Sequence, residues 1–534
     1  MKHLFALVAA SVIVSACATG GNNQGTVTDS TDNETPAFQA PIDYIPSALG
    51  PYTWKITTSS EVAQQFFDQG LQMRYAYGMN DAARSFRQAH IADPGCAMCY
   101  WGEAFSLGSF LNGGMSAEKA PYAHEAIEKA VELADGVTEL ERDLIMAARD
   151  RYPADYDPEN RRPVDDAFAA RMKVLNDKYA GNHEVAVIYA VSIFLLEERR
   201  GYRDVNDPDL IHLHSVLTGV LAEDITHPGA CHLYIHATES SQEPERALAC
   251  AEFLSDAVPS ASHIQHMPSH TWNEVGYWGK SVQANTKARK SDLKSRQGQG
   301  FSYAPGHNLH MLLFAASMDG QGAVATQAGK DYSKETGNSM YQVLTLMRFG
   351  RYDEIPAVTD RPSGEIAGGL WDFAQGYAAA HNDDMTSARD YLEAVQTLGE
   401  NSTAVFRFHS ASQVMGLSAA ILEGEILRLE GDLDGAIAAF QRAAELDDQQ
   451  PYDEPEPIPY AARHWLGAAL LEAGRYAEAE QEYRTELADH PHNVWSLAGL
   501  QAALDGQGKT DADVEADYEE STSRMDVWIT TSIM

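Results

Sequence analysis

Histidines are the side chains of this 534-residue chain whose type and spacing could do chemistry. There are nineteen of them, and eight lie within residues 227–310. His232 and His236 are four residues apart, so on a helix both point from one face, and Glu239 follows three residues later. Imidazole and carboxylate groups at this spacing are a donor set for Zn²⁺, Cu²⁺ or non-haem iron or manganese.

The same spacing occurs a second time. His266 and His270 are again four residues apart, and each lies 34 residues after its counterpart in the first pair. Because 34 residues is the period of a common two-helix repeat, the pairs are predicted to occupy equivalent positions of consecutive repeats and to share one ion. Two further histidines precede others by three residues. The candidate metal ligands are therefore His232, His236, Glu239, His263, His266, His270, His307 and His310.

Three interpretations of these histidines stay open at this level. They bind a transition metal, or they form a metal-free pocket that, with Asn273, bonds a peptide or a carboxylate, or they are core residues with satisfied hydrogen bonds. Pro268 lies between His266 and His270 and removes one helical hydrogen bond. We therefore expect a kink at this point, or a helix that begins late.

The helices that must position these side chains form a repeat. Gly70, Ala82, Phe86, Ala89 and Pro94 fit the tetratricopeptide (TPR) template, in which a small residue of helix A faces an aromatic residue of helix B. Strand patterns are nearly absent. The predicted fold is all-α, a TPR-type α-solenoid of helix-turn-helix repeats. Further copies, some degenerate, begin at Ala247, Gly376, Gly424 and Gly467.

In TPR proteins helix A generally lines a concave groove. We therefore expect the paired imidazoles to face each other across neighbouring helices of that groove, which would also hold a protein or peptide partner. Residues 289–306 and the acidic, proline-rich residues 449–459 are predicted to be loops inserted into the solenoid.

Charge and hydropathy exclude two classes of function. Lys and Arg total 39 against 77 Asp and Glu, a formal charge of −38, so the surface repels phosphate backbones and no nucleic acid is expected as a partner. Beyond the first seventeen residues no apolar run approaches the roughly 18–20 residues that cross a bilayer.

The first residues of the chain are predicted to be an export signal. Lys2 and the apolar stretch 4–14 lead to Val-Ser-Ala-Cys at residues 14–17, which resembles the lipobox of bacterial lipoproteins. That resemblance implies a lipidated, palmitate-carrying Cys17 and, because Ala18 follows, anchoring at the periplasmic face of the outer membrane. A plain secretory peptide is the alternative.

The predicted organisation has five parts. They are a lipoprotein signal peptide (1–17), a flexible tether (18–50), an N-terminal TPR array with a His-rich groove (51–360), a C-terminal TPR array (361–510) and a C-terminal tail (511–534).

The four remaining cysteines are predicted to form disulfides, because export exposes them to an oxidising compartment. Cys96 and Cys99 form a CxxC, read as a local structural bridge, with a redox role as the alternative. Cys231 and Cys250 are nineteen residues apart, on helices A and B of one repeat. Antiparallel helices bring such positions within disulfide reach.

Several motifs together resemble a group of bacterial exported TPR-repeat proteins. They are Cys-Ala-Met-Cys-Tyr-Trp-Gly at 96–102, the His-Pro-Gly segment at 227–236, His-Met-Pro-Ser-His at 266–270 and His-Asn-Leu-His at 307–310. The resemblance covers most of residues 60–505 and implies a fold, but no reaction.

Two functions follow as hypotheses. The first is a lipid-anchored periplasmic scaffold that binds a protein or peptide partner and carries a His-based transition-metal site. The alternative is a metal-dependent hydrolase or oxidoreductase in which Glu239 is a ligand or a general base. No His-Glu-x-x-His, Gly-x-Ser-x-Gly or phosphate-binding loop motif is present.

Overall fold

The structure is a computed structural model that describes residues 36–197 and 202–534. The predicted signal peptide, its predicted lipidation site Cys17 and residues 18–35 of the predicted tether lie outside the described residues. Among the helices in the described ranges, none combines the length and the apolar character that a membrane span requires.

The regular secondary structure of the described residues is helical apart from one short hairpin, so the predicted all-α class is confirmed. The strands β1 (Val405–Phe406) and β2 (His409–Ser410) pair antiparallel. The helices are α1 (Glu61–Tyr75), α2 (Met79–Ala92), α3 (Ala97–Leu107), α4 (Ala120–Leu133), α5 (Glu139–Arg149), α6 (Arg162–Lys178), α7 (His183–Phe194), α8 (Pro208–Glu223), α9 (Pro228–Thr238), α10 (Leu248–Ala257), α11 (Ser262–His266), α12 (Pro268–Glu274), α13 (Trp278–Ser295), α14 (Pro305–Met318), α15 (Gly322–Thr336), α16 (Met340–Arg348), α17 (Glu365–His381), α18 (Met385–Asn401), α19 (Ala411–Leu429), α20 (Leu433–Asp447), α21 (Arg463–Glu472), α22 (Tyr476–Asp489), α23 (Val494–Gly506) and α24 (Ala512–Thr522).

An aromatic ring between two glycines explains the packing of the first repeat. Phe86 of α2 is fully buried between Gly70 of α1 and Gly102 of α3. A Cβ atom would lie 2.9 Å from the Phe86 ring at position 70 and 2.3 Å from it at position 102, closer than carbon atoms pack. The small-residue and aromatic positions of the TPR template therefore have a steric cause.

The same arrangement recurs near the C-terminus. Tyr483 of α22 lies between Gly467 of α21 and Gly499 of α23, where a Cβ atom would approach the ring to 2.3 and 2.2 Å. Sequential helices pack as antiparallel pairs in both places, so the helix-turn-helix repeat predicted from sequence is present at both ends of the array.

Two apolar cores follow one another along the chain. The first includes buried side chains from Phe38 to Phe301, and the second includes side chains from Trp278 to Ile529. The cores therefore overlap along the chain at residues 278–301, and the division that the sequence suggested near residue 360 falls inside the second core.

Residues 36–50, part of the predicted tether, pack against the first helix. Phe38 is buried, and the side-chain amide of Gln69 donates to the carbonyl of Asp43 at 3.0 Å. The folded part of the chain consequently begins ahead of residue 51.

Residues after 511, predicted as a tail, also pack on the solenoid. Ser532 is fully buried, and its hydroxyl lies 2.7 Å from the hydroxyl of Tyr483. Ile529 is buried in the second core. The C-terminal residues thus cover the aromatic ring that joins α21 to α23.

Pro268 breaks the helix that carries the second histidine pair. It is the first residue of α12, and Met267 separates it from α11, which ends at His266. The predicted interruption is confirmed, because proline has no N–H to continue the hydrogen-bond ladder of α11.

Candidate metal centre

Three helices supply five of the histidines. α9 carries His232 and His236, and Glu239 caps its C-terminus. α11 carries His263 and His266, and α12 carries His270. These five imidazoles are at most 2% exposed. The pairs therefore lie in the protein interior, where a charged or unbonded polar group is costly.

His232, His236 and His263 form the first histidine group. Each offers one ligand atom, and the three atoms lie within 4.8 Å of one another. The Nε2 atoms of His232 and His263 are 3.2 Å apart. Two nitrogens bound to one tetrahedral zinc at 2.0–2.1 Å are about 3.3 Å apart, so this separation suits a shared ion.

A backbone carbonyl orients one member of this group. His232 Nδ1 donates to the carbonyl of Tyr75 at the end of α1. This bond places the proton on Nδ1 and the lone pair on Nε2, which is the arrangement that metal-bound histidines use.

Tyrosines form the wall of the first histidine group. The ring of Tyr77 lies 4.2 Å from that of His232 and 5.1 Å from that of His263, and Tyr303 lies 5.0 Å from His263. Tyr77 has φ 56°, a left-handed conformation that non-glycine residues seldom adopt and that clusters at functional sites. No sequence pattern indicated Tyr77.

His266, His270 and His307 form the second histidine group, again with ligand atoms within 4.8 Å of one another. The Nε2 atoms of His266 and His270 are 2.8 Å apart. His266 Nδ1 lies 3.0 Å from the amide oxygen of Asn285, to which it donates. As with His232 in the first histidine group, a hydrogen bond from Nδ1 orients the ring of His266, and its Nε2 faces a neighbouring imidazole.

Glu239 links the two groups. Its Oε1 accepts from His236 Nδ1 at 2.8 Å, and its Oε2 lies 2.6 Å from His270 Nδ1. A carboxylate in this position fixes the tautomer of a ligating histidine and makes it more basic. One carboxylate therefore orients a histidine of each group.

A third grouping combines carboxylates with imidazoles. His236, Glu239, His270 and Glu454 also offer ligand atoms within 4.8 Å of one another, and Glu454 Oε2 is 3.1 Å from His270 Nδ1. The structure thus brings together every predicted ligand except His310, but distributes the two original pairs over two histidine groups instead of one four-histidine set.

His310 takes a different place. Its ring stacks on Tyr341 with centroids 4.2 Å apart, and its Nδ1 lies 3.3 Å from the guanidinium of Arg407. His310 is in none of the three groupings. Three residues on a helix turn a side chain by about 300°, which equals about 60° in the opposite sense, and this turn brings His310 beside Tyr341 and Arg407.

Glu454, for which no sequence pattern indicated a role, comes from the predicted loop 449–459. Arg407 donates to the backbone carbonyl of Glu454 at 2.9 Å and pairs with Asp453. His409 Nε2 lies 3.1 Å from Asp453. The β1–β2 hairpin therefore holds this loop against α12. The only sequence signal was an acidic insertion where a TPR turn should be short.

Electrostatics differ between the imidazoles. Burial and neighbouring imidazoles lower the pKa of His263 and His266 well below the usual range, and burial does the same for His307, so these rings are neutral at pH 7. Burial also opposes the charged form of His270, but the carboxylates of Glu239 and Glu454 outweigh it and raise its pKa to about 9. Positive charge is thus favoured beside these carboxylates.

Both predicted cysteine pairs lie at disulfide distance. The Cα atoms of Cys96 and Cys99 are 5.4 Å apart, and those of Cys231 and Cys250 are 4.8 Å apart. The second pair joins α9, which carries the first histidine pair, to α10. It therefore restrains the helix on which both histidine groups depend.

A small cavity borders the carboxylate side of the centre. It has a volume of about 20 Å³, and His270 and Glu454 lie on its wall. That volume admits one water-sized group.

Comparisons with known proteins give likeness of fold only. No protein-family model and no curated protein matches the chain. Solved structures of similar fold include the APC/C hetero-tetramer Cut9–Hcn1, at 12% identity over 83% of this chain and 90% of that one, with a TM-score of 0.30. They also include the human IFIT1 dimer with m7Gppp-AAAA (11%, 80% and 90%, 0.30) and the TPR domain of P58(IPK) (11%, 86% and 97%, 0.22).

Proposed function

We propose that this protein is a TPR scaffold that binds a protein or peptide partner and holds divalent transition-metal ions between α9, α11, α12 and α14. The observation that carries the proposal is the pair of three-histidine groups oriented by one carboxylate, Glu239. Imidazole with carboxylate favours zinc, copper or iron over calcium and magnesium, which prefer oxygen ligands. Zinc is the first candidate.

The two metal-free interpretations fit the contacts less well. Core histidines should have satisfied hydrogen bonds, but His263 Nδ1 is buried and has no hydrogen-bond partner among the described residues. In a peptide pocket, the Asn273 amide nitrogen should donate to the ligand, but it points to Met311 Sδ at 3.8 Å. The facing Nε2 atoms of the two histidine groups, 2.8 Å apart in one pair and 3.2 Å apart in the other, need a cation or a proton between them.

A metal-dependent hydrolase is the second candidate. Each histidine group supplies three protein ligands, the number that catalytic zinc sites use, with the fourth position left for water. The cavity beside His270 and Glu454 has room for such a water, and this observation favours the second candidate.

Location belongs to the same proposal. The lipobox-like residues 14–17 and the two disulfide-distance cysteine pairs support an exported lipoprotein, anchored through Cys17 at the periplasmic face of the outer membrane. A Cys17→Ser variant should lose palmitate labelling and appear in the soluble periplasmic fraction. A Cys17→Ser variant that still carries palmitate and remains in the outer-membrane fraction would contradict anchoring through Cys17.

Metal titration tests the centre itself. Metal-free protein is titrated with Zn²⁺, Cu²⁺ and Fe²⁺ by calorimetry, and the metal content of the protein as purified is measured. We expect tight stoichiometric binding that His236→Ala weakens strongly, because this histidine belongs to the first group and to the mixed grouping. His183→Ala, a partly exposed histidine paired with Glu223, is the matched control. Equal, weak binding by wild type and His236→Ala would refute the centre.

A further inference from the structure

The cavity beside the centre, called here the Glu274 cavity, has a chemistry of its own. It lies between the end of α12, the start of α13, α14, residues 452–456 and the end of α22. Five carboxylate residues line it: Glu274, Asp453, Glu454, Glu456 and Asp489. No lysine or arginine of the described ranges is on its wall. The positive groups there are His270 and His490.

Those imidazoles are already engaged. His270 contacts Glu239 and Glu454, as described above, and His490 Nδ1 lies 2.7 Å from Glu486, outside the cavity, with its Nε2 3.5 Å from Glu456. Glu274, in contrast, makes no hydrogen bond or salt bridge with any described residue. Burial and the nearby Glu456 carboxylate raise the pKa of Glu274 well above its usual range. A cation in the cavity would relieve both effects.

A second observation also indicates a ligand with N–H groups. Asn273 is 7% exposed and lines the cavity, and its Oδ1 atom is buried without a hydrogen-bond partner among the described residues. A buried amide oxygen without a donor is energetically costly, so such atoms are normally satisfied by water or a ligand. The missing group is a hydrogen-bond donor.

Aromatic rings complete the wall. Tyr202 and Tyr452 both line the cavity, with ring centroids 5.6 Å apart in an edge-to-face arrangement. Aromatic faces attract cations. Tyr202 is 65% exposed, so the cavity reaches the surface on this side.

Size selects among cations. A volume of about 20 Å³ admits one water-sized group. An –NH₃⁺ head is of that size and carries three donors, whereas a planar guanidinium is larger. We propose that the Glu274 cavity binds a primary ammonium group, with Glu274 as its counter-ion and the Asn273 amide oxygen as one acceptor. Glu274 and Asn273 belong to none of the metal groupings, although His270 and Glu454 of those groupings also lie on the cavity wall.

Binding of methylammonium tests this proposal directly. Full-length protein, once metal-free and once zinc-loaded, is titrated with methylammonium, guanidinium and tetramethylammonium and followed by calorimetry and thermal shift. We expect methylammonium to bind in both forms and to be preferred at least roughly tenfold over tetramethylammonium, which has no N–H donor. Absence of methylammonium binding, as in a cavity that holds only water, or equal binding of the three cations, would overturn the proposal.

Two variants separate the site from general effects on folding. Glu274→Gln should weaken methylammonium binding at least roughly tenfold, and Asn273→Leu, similar in size, should weaken it by removing the acceptor. Glu400→Gln, an exposed carboxylate elsewhere, is the control. Unchanged binding in Glu274→Gln and Asn273→Leu, with wild-type helicity, would refute the assignment.

A second experiment asks whether the ammonium group comes from a peptide N-terminus or from a lysine side chain. Dipeptides with a free N-terminus and an acetylated side chain are compared with N-acetylated dipeptides that keep a lysine ammonium. Competition by either set supports a primary ammonium site and identifies whether a peptide terminus or a lysine reaches it. Failure of both, together with failure of methylammonium, counts against the proposal. Zinc binding is measured on the same samples, so failure of the metal centre is recognised independently.

Discussion

Replacing Glu239 by Gln should weaken metal binding at both histidine groups at once. The carboxylate accepts from His236 of the first group at 2.8 Å and lies 2.6 Å from Nδ1 of His270 of the second group. A glutamine amide has one acceptor oxygen and one NH₂ group, so it can accept from one imidazole but presents a donor to the other. One histidine must then change its tautomer or turn away.

The expected size follows from this geometry. Loss of a carboxylate that orients a metal-bound histidine typically costs 10–100-fold in affinity, about 1.4–2.7 kcal/mol. The buried donor that faces another donor adds about 1–3 kcal/mol at whichever group the amide NH₂ contacts. Both binding steps should therefore weaken by at least roughly tenfold, and one of them by more.

Competition with a chelator of known zinc affinity resolves such steps. Glu425→Gln is a matched control, because Glu425 is a fully buried carboxylate that contacts His381 at 2.8 Å and also pairs with Arg428, but belongs to none of the metal groupings. Wild-type zinc affinity in Glu239→Gln, or a loss confined to one step, would refute the shared orienting role. X-ray absorption on the zinc-loaded wild type then tells whether Glu239 is itself a ligand.

Three further outcomes are expected. His263→Ala should weaken zinc binding by roughly tenfold or more, whereas His310→Ala should leave it unchanged in the same titration, because only His263 faces another ligand atom. Gly102→Ala should lower the free energy of unfolding by about 1–3 kcal/mol in urea, since its Cβ would meet an aromatic ring at 2.3 Å, whereas Gly136→Ala, with open space, should not. Hydrogen bonds from His381 and Arg428 outweigh burial and lower the pKa of Glu425 to about 2. The ionised carboxylate therefore stabilises the fold above about pH 4.5. This stabilisation, of the order of 3 kcal/mol, is lost as the pH falls toward 2. The stability difference between wild type and Glu425→Gln should accordingly narrow over that range.

Features that depend on nearby residues could be predicted from the sequence. The spacing of Gly70 and Phe86 indicated a helix pair, because the two residues meet between two helices joined by a single turn. The structure shows that contact. The interruption at Pro268 follows from the chemistry of one residue. The 34-residue offset of the histidine pairs placed them in neighbouring helices, and the structure brings these helices together.

Features that depend on contacts between distant residues could not be predicted from the sequence. Glu454 reaches His270 although 184 residues separate them, and an acidic loop alone gives no indication of which helix it will contact. Tyr77 covers the first histidine group from the turn between α1 and α2. His307 and His310 are equivalent by spacing, but only His307 meets other candidate ligands, because rotation of α14 about its axis decides which one faces the histidines of α11 and α12.

By itself, the sequence determined an all-α repeat and a concentration of side chains able to ligate metal on nearby helices, because helical period and repeat register are properties of local spacing. Only the tertiary structure decided which nitrogens face each other, that Glu239 serves two histidine groups, and that Glu454 closes one side of them. These depend on how helices rotate and on how a loop from the second core reaches α12, and such long-range packing leaves no periodic trace in the chain.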